Sequence, residues 1–226
     1  MISQPNIEKE GALLPERLNR RTSIHELLDA RWSPRSFSEN PIEPRKIVSL
    51  FEAARWSPSS GNEQPWSFIV VTQEDAGAYA ALLGTLADAN RRWATRAPML
   101  ILGITRSTYS KNGQPNRHAW YDLGQSIAFL TVQASALGLA VHQMGGFDGE
   151  RTRALFSIPL EYEPVVVLAV GYAESADQLP ADLRQRETAP RMRKPLEEIV
   201  FARQWGEPSP YITTQNPFLN NLPSKN

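Results

Sequence analysis

Residues 117–138 carry the strongest helical periodicity in this 226-residue chain. Apolar side chains recur there at steps of three and four, which is the repeat of one face of an α-helix. The recurring residues are Trp120, Leu123, Ile127, Leu130, Ala134 and Leu137. Further apolar residues, among them Phe129 and Val132, flank that face. A helix that is apolar nearly all round is buried in a protein core or in a subunit interface, and the segment predicts such a helix.

Nearly continuous apolar runs predict buried β-strands between the helices. They lie at 66–72, 99–105, 139–144 and 165–171. Helices are predicted at 23–31, 44–55, 74–93, 148–156 and 196–201, whereas 174–190 has the composition of a polar loop. The first helix is predicted from a Ser-x-x-Glu capping box that begins at Ser23. Helices interleaved with a few buried strands predict an α+β sandwich.

Composition removes several classes of function from consideration. The 24 basic and 24 acidic side chains cancel, so no overall field attracts nucleic acid or anionic lipid, and any anion site must be local. The chain has no cysteine, and its three histidines lack a metal-binding spacing. It shows no secretory signal, and its longest apolar run is far shorter than a membrane span. These observations predict a soluble, cytoplasmic protein with no metal, no nucleic-acid partner and no membrane partner.

The segment 30–37, A-R-W-S-P-R-S-F, is the first candidate site. It places the guanidiniums of Arg31 and Arg35 on either side of the Ser33 hydroxyl, and a proline stiffens the chain between them. Arginine pairs bidentately with phosphate and keeps its charge at any working pH. The segment can therefore hold a phosphate and leave a cation for a second task, although a solvated helix end before a Pro turn has the same pattern.

Two more stretches could belong to the same site. The loop 59–66 is dense in small hydrogen-bond donors and ends on a strand, and 191–194 is a second basic cluster more than 150 residues from the first. A turn, a loop or a solvated basic face explains each stretch separately. All three nevertheless lie at element boundaries, where rigid scaffolds carry binding groups. If the two Arg pairs converge, they bind a dianionic phosphate better than one pair does.

Motifs for catalysis by side chains alone are absent from the sequence. It contains no G-x-S-x-G elbow and no G-x-x-x-x-G-K-[ST] loop, and Gly145-Gly146 after a strand is not G-x-G-x-x-G. Acidic, basic and nucleophilic candidates are sparse, and His118 and His142 are interpreted as structural. This pattern indicates a cofactor that carries the chemistry itself.

Six stretches, in order along the chain, carry a resemblance to a known family. They are A-R-W-S-P-R-S-F, A-R-W-S-P-S-S-G-N-E-Q-P-W-S-F-I-V-V, Y-D-L-G-Q-S-I-A-F-L-T-V-Q-A-S-A-L-G-L, H-Q-M-G-G-F-D, Y-E-P-V-V-V-L-A-V-G-Y and R-M-R-K-P-L-E-E-I-V. Together they resemble the nitroreductase family of flavoenzymes over about residues 22–204. The resemblance implies an α-β-α sandwich with a central, mostly antiparallel sheet, in an interlocked homodimer that holds FMN at the subunit interface. Outside it, 1–21 form an N-terminal arm and 205–226 a C-terminal extension, which is expected to pack on the partner subunit.

The resemblance also assigns the residues that hold FMN. It implies that Arg31 and Ser33 bind the FMN phosphate from one side and that Arg191 and Arg193 bind it from the other. The cofactor-binding set further includes Trp32, Gln143, Met144 and Gly146.

Around the flavin ring, the resemblance implies two catalytic groups. Arg35 takes the place of a cation near flavin N1 and O2, where it stabilises the anionic reduced flavin, and Gly145 directs its backbone N–H at N5. Asn90 falls where some members place an Asn on the pyrimidine edge. The residues that reach the flavin from the partner subunit are Ser59, Ser60 and Asn62.

Two departures from the family pattern concern the pocket. Trp93 stands where some members have a lysine, so the charge near N1 depends on Arg35 alone. Gly145 stands where some members have an acidic residue, which leaves that face of the pocket more open. Both departures bear on the substrate rather than on the cofactor.

The function that the resemblance implies is a ping-pong oxidoreductase. Hydride passes from NAD(P)H to flavin N5 and then to a small aromatic acceptor, such as a nitroaromatic or a quinone. A specialised member of the same fold is an alternative: a reductive dehalogenase, an azoline oxidase or a flavin-destroying enzyme. Two classes outside redox catalysis also stay open, namely a flavin-binding protein without redox turnover and a binding protein without flavin.

Overall fold

The structure is a computed structural model that describes residues 22–213. The described chain divides into two units, Ile24–Thr188 and a smaller one that comprises 189–213 with residues 22 and 23. The predicted N-terminal arm, 1–21, and the last part of the predicted C-terminal extension, 214–226, lie outside the described residues.

A four-stranded antiparallel sheet forms the centre of the larger unit. Its strands are β1 (Trp66–Thr72), β2 (Met99–Arg106), β3 (Ala140–Met144) and β4 (Tyr162–Gly171), in the order β1-β2-β4-β3. All three neighbouring pairs are antiparallel. The four predicted strands are confirmed, and β4 begins three residues earlier than predicted because Tyr162 and Glu163 continue the ladder with β2.

Within residues 22–213, seven α-helices surround the sheet. They are α1 (Glu26–Ala30), α2 (Pro44–Arg55), α3 (Ala76–Leu83), α4 (Asp88–Ala94), α5 (Ala119–Ala136), α6 (Gly149–Leu155) and α7 (Ala181–Thr188). The prediction of one helix over 74–93 is wrong, since α3 and α4 are separate. The chain between them turns aside to pair with the segment after β3: the Ala87 N–H donates to the Gly146 carbonyl at 3.0 Å, and the Asp148 N–H donates to the Thr85 carbonyl at 2.8 Å.

Alternate residues of the central strands pack into two separate hydrophobic cores, one on each face of the sheet. On β2, Leu100 and Leu102 lie in one cluster with buried side chains of α3, α4 and α7, whereas Ile101 lies in the other with those of α2 and α5. Side chains of a strand alternate between the faces of a sheet, so a continuous apolar run requires cover on both sides. The helices provide that cover, and the predicted α-β-α sandwich is confirmed.

One burial prediction is wrong for the described chain, and a second, which allowed burial in a core or in a subunit interface, is confirmed only in part. β1 is not buried on both faces, because it is an edge strand: Val71 is 4% exposed but Val70 is 38% exposed. α5 is not buried all round either, and Trp120, on the predicted buried stripe, is 54% exposed. Its indole N–H donates to Glu163 at 2.9 Å. The rest of the predicted stripe is largely confirmed, since Leu123, Ile127, Leu130 and Ala134 are buried.

Helix ends and the C-terminal region differ from the prediction in three places. Ser23 does not cap α1; His25 does, through Nδ1, which accepts from the Leu27 N–H at 3.2 Å. The region predicted as a polar loop, 174–190, contains α7, whose Leu183 reaches the core. In the smaller unit, the helix predicted over 196–201 is only a 3-10 turn, Leu196–Glu198.

None of the helices between residues 22 and 213 is both long enough and apolar enough to cross a membrane.

Candidate functional site

The segment that follows α1 alternates between buried and partly exposed side chains. Arg31, Ser33 and Arg35 are partly exposed, and the residues between and after them are buried. The buried ones are Trp32, Pro34 and Ser36. Arg31 has extended backbone angles, and alternate residues of an extended chain point to the same side. The sequence predicted these three polar residues as a group, and the structure presents them on the accessible side of one segment.

Arg31 and Ser33 are brought together directly. The Arg31 guanidinium donates to the Ser33 hydroxyl oxygen at 3.2 Å. A guanidinium and a hydroxyl that meet in this way offer several donors to one point, which suits the oxygens of a phosphate.

Downstream of Arg35, the segment is tied firmly to the chain that follows β4. Phe37 forms a β-bridge with Ala173, and the Ser36 hydroxyl donates to the Ser175 carbonyl at 2.7 Å. Phe37 is fully buried and its ring stacks on Trp93 with centroids 6.3 Å apart. A binding segment held in this way loses little freedom when a ligand arrives.

Glu187, on α7, is a residue of this region that the sequence did not predict. Its side chain is 1% exposed and accepts three hydrogen bonds from the candidate segment. Oε1 accepts from the N–H of Arg35 at 2.8 Å and of Ser36 at 3.4 Å, and Oε2 accepts from Arg35 Nη1 at 3.4 Å. Burial raises the pKa of Glu187, and the backbone N–H groups and the charge of Arg35 oppose that rise.

His142, on β3, links the segment to the sheet. Its Nδ1 lies 2.8 Å from the Pro34 carbonyl, and its ring packs on Trp93 with centroids 4.4 Å apart. Burial is the main cause that lowers the pKa of His142 to about 4, and Arg35 and Arg31 lower it further. A neutral ring whose Nδ1–H donates to the carbonyl satisfies this environment. Trp93 is 2% exposed, so its side chain belongs to the core.

The chain that leaves β3, shortly after His142, has exposed residues. Gln143, Gly145 and Gly146 are exposed, whereas the Met144 side chain is buried in the core. The Asn90 side-chain amide donates to the Gly146 carbonyl at 3.2 Å. Apart from Gly145 and its two chain neighbours, no residue of the described chain has a heavy atom within 4 Å of the position that a Gly145 Cβ would take. The structure thus places Asn90 beside Gly146, and the roles of Asn90, Gly145 and Gly146 at a flavin stay predictions.

The loop 59–64 is a second preorganised element. The buried carboxylate of Asp122, at the start of α5, accepts from the Ser60 N–H at 3.1 Å. Asn62 and Gln64 adopt positive φ angles of 56° and 49°, which non-glycine residues seldom do outside constrained sites. The Ser59 hydroxyl accepts from the Gln64 N–H at 3.0 Å. Asp122 thus anchors this loop to α5.

Within one chain, the two groups of predicted residues lie at opposite edges of the sheet. The loop 59–64 precedes β1, Gly145 follows β3, and β2 and β4 lie between those strands. Three inter-strand spacings amount to about 14 Å. The strand order thus separates Ser59, Ser60 and Asn62 from Gly145 by the width of the sheet.

Arg191 and Arg193 belong to the smaller unit. Arg193 Nη1 donates to the Met192 carbonyl at 2.7 Å. Their convergence on Arg31 and Ser33 stays a prediction. Among residues 22–213, no group of three or more His, Cys, Asp or Glu side chains is arranged to hold a metal ion.

Comparison with known proteins gives consistent similarities. The profile described as "Nitroreductase family" matches residues 28–172. The NADH dehydrogenase of Thermus thermophilus is 28% identical in an alignment that covers 76% of this chain and 92% of that protein. The iodotyrosine deiodinase 1 of Sus scrofa is 27% identical in an alignment that covers 82% of this chain and 70% of that protein. A crystal structure of an "oxidoreductase containing FMN" superimposes with a TM-score of 0.78 at 29% identity, over 84% of this chain and 96% of that one.

Proposed function

The chain belongs to the nitroreductase family, and we propose that it is an FMN-dependent oxidoreductase that moves hydride from NAD(P)H to a small aromatic acceptor. The observation that carries the proposal is the pairing of Arg31 with Ser33 on the accessible side of a segment whose next exposed residue is Arg35. The similarity to an NADH dehydrogenase and to an oxidoreductase that contains FMN supports both the cofactor and the reductant.

The described residues fit FMN in two ways. Arg31 and Ser33 offer converging donors to a phosphate. Gly145 and Gly146 expose backbone at the end of β3, and the space beside Gly145 is open to a flat ring. In the proposed arrangement the Gly145 N–H would donate to flavin N5, Asn90 would border the ring, and Arg191 and Arg193 would be further ligands of the phosphate.

When bound, FMN supplies the centre that accepts and donates hydride, which explains why the chain itself offers few acid–base groups. Arg35 contributes a permanent positive charge that favours negative charge nearby. The open face beside Gly145 admits the reductant and then the acceptor in turn, which is the ping-pong order.

Titration with FMN in a thermal-unfolding assay tests the proposal. A ligand at about 100 times its dissociation constant adds about 2.7 kcal/mol of apparent stability. We expect the purified protein to be yellow and to show this shift. A colourless protein whose unfolding temperature does not respond to FMN would contradict the proposed function.

We expect Arg31→Ala and Arg193→Ala each to weaken FMN binding by about 1.5–3 kcal/mol, the scale of a hydrogen bond to a charged group. Fluorescence titration of FMN measures the change. Arg92→Ala is the matched control, because Arg92 pairs with Asp182 at 2.9 Å on the surface and its loss removes a guanidinium outside the site. Wild-type affinity in both site variants would show that the phosphate assignment is wrong.

The protein is further proposed to be a homodimer with FMN at the interface. The separation of the loop 59–64 from Gly145 across the sheet supports this, because it leaves the loop at a different edge, where a second subunit can meet it. Exposed apolar side chains on α5 supply a surface for the partner: Trp120 is 54%, Tyr121 66% and Phe129 44% exposed.

Mixing two variants that are each expected to bind FMN more weakly tests the shared site. Arg31→Ala removes the phosphate grip, and Asn62→Gly removes the loop amide while glycine keeps the positive φ. In dimers formed from an equal mixture, one site of each mixed dimer carries both changes and the other carries none. About a quarter of all sites should then bind FMN normally, as two-fold symmetry requires. No recovery above the separate variants would place the whole site within one subunit.

Reductive dehalogenation is a second candidate, favoured by the similarity to iodotyrosine deiodinase over 82% of this chain. Two electrons and a proton replace the halogen on the ring with hydrogen and release halide. Iodide release from iodotyrosine with dithionite as the reductant distinguishes this activity from nitroaromatic reduction.

A further inference from the structure

We propose that Glu187 is a positioning residue for the flavin site. It holds the Arg35 backbone in place and partly neutralises the Arg35 charge, and so sets the relative affinities for reduced and oxidised FMN. The inference rests on the proposed function, because it takes Arg35 to lie beside the flavin. It concerns a residue of α7 that lies 152 positions from Arg35 in sequence.

The two carboxylate oxygens of Glu187 accept hydrogen bonds from different groups. Oε1 accepts from two backbone N–H groups, those of Arg35 and Ser36, and so fixes the path of the chain. Oε2 accepts from the Arg35 guanidinium and so fixes its side chain. One carboxylate therefore controls both where Arg35 lies and how much of its charge is compensated.

The two side chains of the Arg35–Glu187 ion pair differ in their exposure to solvent. Glu187 is 1% exposed, whereas Arg35 is 28% exposed. The carboxylate is thus shut off from solvent behind the guanidinium, and only the cation reaches the accessible side of the segment. A ligand on that side meets a positive charge that a buried negative charge partly cancels.

This partial cancellation has a consequence for redox balance. A cation beside the flavin favours the reduced, anionic form over the neutral oxidised form. Glu187 weakens that preference, because its negative charge lies 3.4 Å from the Arg35 Nη1. Removing the carboxylate charge while keeping Arg35 in place should therefore tighten binding of reduced FMN.

The variant Glu187→Gln separates the anchoring of the backbone from the neutralisation of the Arg35 charge. The glutamine carbonyl can replace Oε1 and keep both backbone hydrogen bonds, whereas its amide nitrogen cannot accept from Arg35. We expect the dissociation constant of oxidised FMN to stay within about twofold of wild type. The affinity for reduced FMN, relative to oxidised FMN, should rise about tenfold, which raises the midpoint potential by about 30 mV for a two-electron couple.

Glu187→Ala removes both tasks and tests the anchor. It leaves two N–H groups of the segment without their acceptor, so oxidised FMN should bind about tenfold more weakly. Asp182→Asn is the control, because it neutralises an Arg-paired carboxylate on the same helix at a surface position. That variant should keep the wild-type affinity and potential.

Dye-equilibrated potentiometry under argon, combined with FMN titration, gives each outcome. A raised potential in Glu187→Gln but not in Asp182→Asn supports the inference. If Arg35→Gln lowers the potential while Glu187→Gln leaves it unchanged, the inference is wrong and the proposed function stands. If Arg35→Gln has no effect on the potential, Arg35 is not beside the flavin and the inference also fails. A wild-type protein that binds no FMN overturns both.

Discussion

Phe37→Ala is expected to lower the free energy of unfolding by about 3–5 kcal/mol, the usual cost of truncating a buried aromatic ring. Phe37 is fully buried, stacks on Trp93 and lies within 3.2 Å of the position of a Gly171 Cβ, so rigid neighbours surround the space it would leave. Chemical denaturation followed by circular dichroism measures the loss. Because Phe37 ends the candidate segment, FMN affinity should fall as well.

Leu160→Ala is the control for that loss. Leu160 is 87% exposed, and a surface truncation of this kind changes stability by less than about 0.5 kcal/mol. A Phe37→Ala protein that is no less stable than Leu160→Ala would mean that the segment 31–37 is not packed as described.

The second large effect is a loss of stability in acid that depends on His142. The pKa of His142 is lowered to about 4 in the folded protein, from 6.5. Below pH 6.5, His142 therefore binds a proton in the unfolded chain but not in the folded chain. The free energy of unfolding falls as a result until the pH reaches about 4. The difference between these two pKa values corresponds to about 3 kcal/mol over that window.

His142→Asn isolates this contribution. Asparagine can still donate to the Pro34 carbonyl but does not titrate in this range. The difference in unfolding free energy between wild type and variant should be constant above pH 7 and should shift by about 3 kcal/mol in favour of the variant on approach to pH 4. A difference that does not change with pH would show that the imidazole is readily protonated in the folded protein.

The local part of the fold was predictable because period and composition act within one element. The step of three and four located α5, and the apolar runs located the four strands. Their exposure was not predictable in the same way. An apolar β1 is consistent with a central strand or with an edge strand, and an apolar α5 is consistent with a core or with an interface. Strand order and contacts with a partner subunit decide between these alternatives, and a local sequence pattern contains information on neither.

The candidate site likewise has a part that local sequence predicts and a part that depends on tertiary contacts. Arg31, Ser33 and Arg35 are close in sequence, so their spacing was enough to predict them as a group. Glu187 lies in a stretch whose polar composition predicted a loop, and its importance comes only from tertiary contact with Arg35. The loop 59–64 was predicted to act from the partner subunit, and its place at the far edge of the sheet is compatible with that role.

The reduction of bound flavin tests the central claim most directly. The protein, saturated with FMN under argon, is mixed with NADH or NADPH, and the visible flavin absorbance is followed. It is then mixed with a nitroaromatic or a quinone. An oxidoreductase of the proposed kind loses the flavin colour with at least one nicotinamide donor and regains it with the acceptor. A protein that binds FMN but keeps its colour with both donors would contradict the account and would instead be a flavin-binding protein without redox turnover.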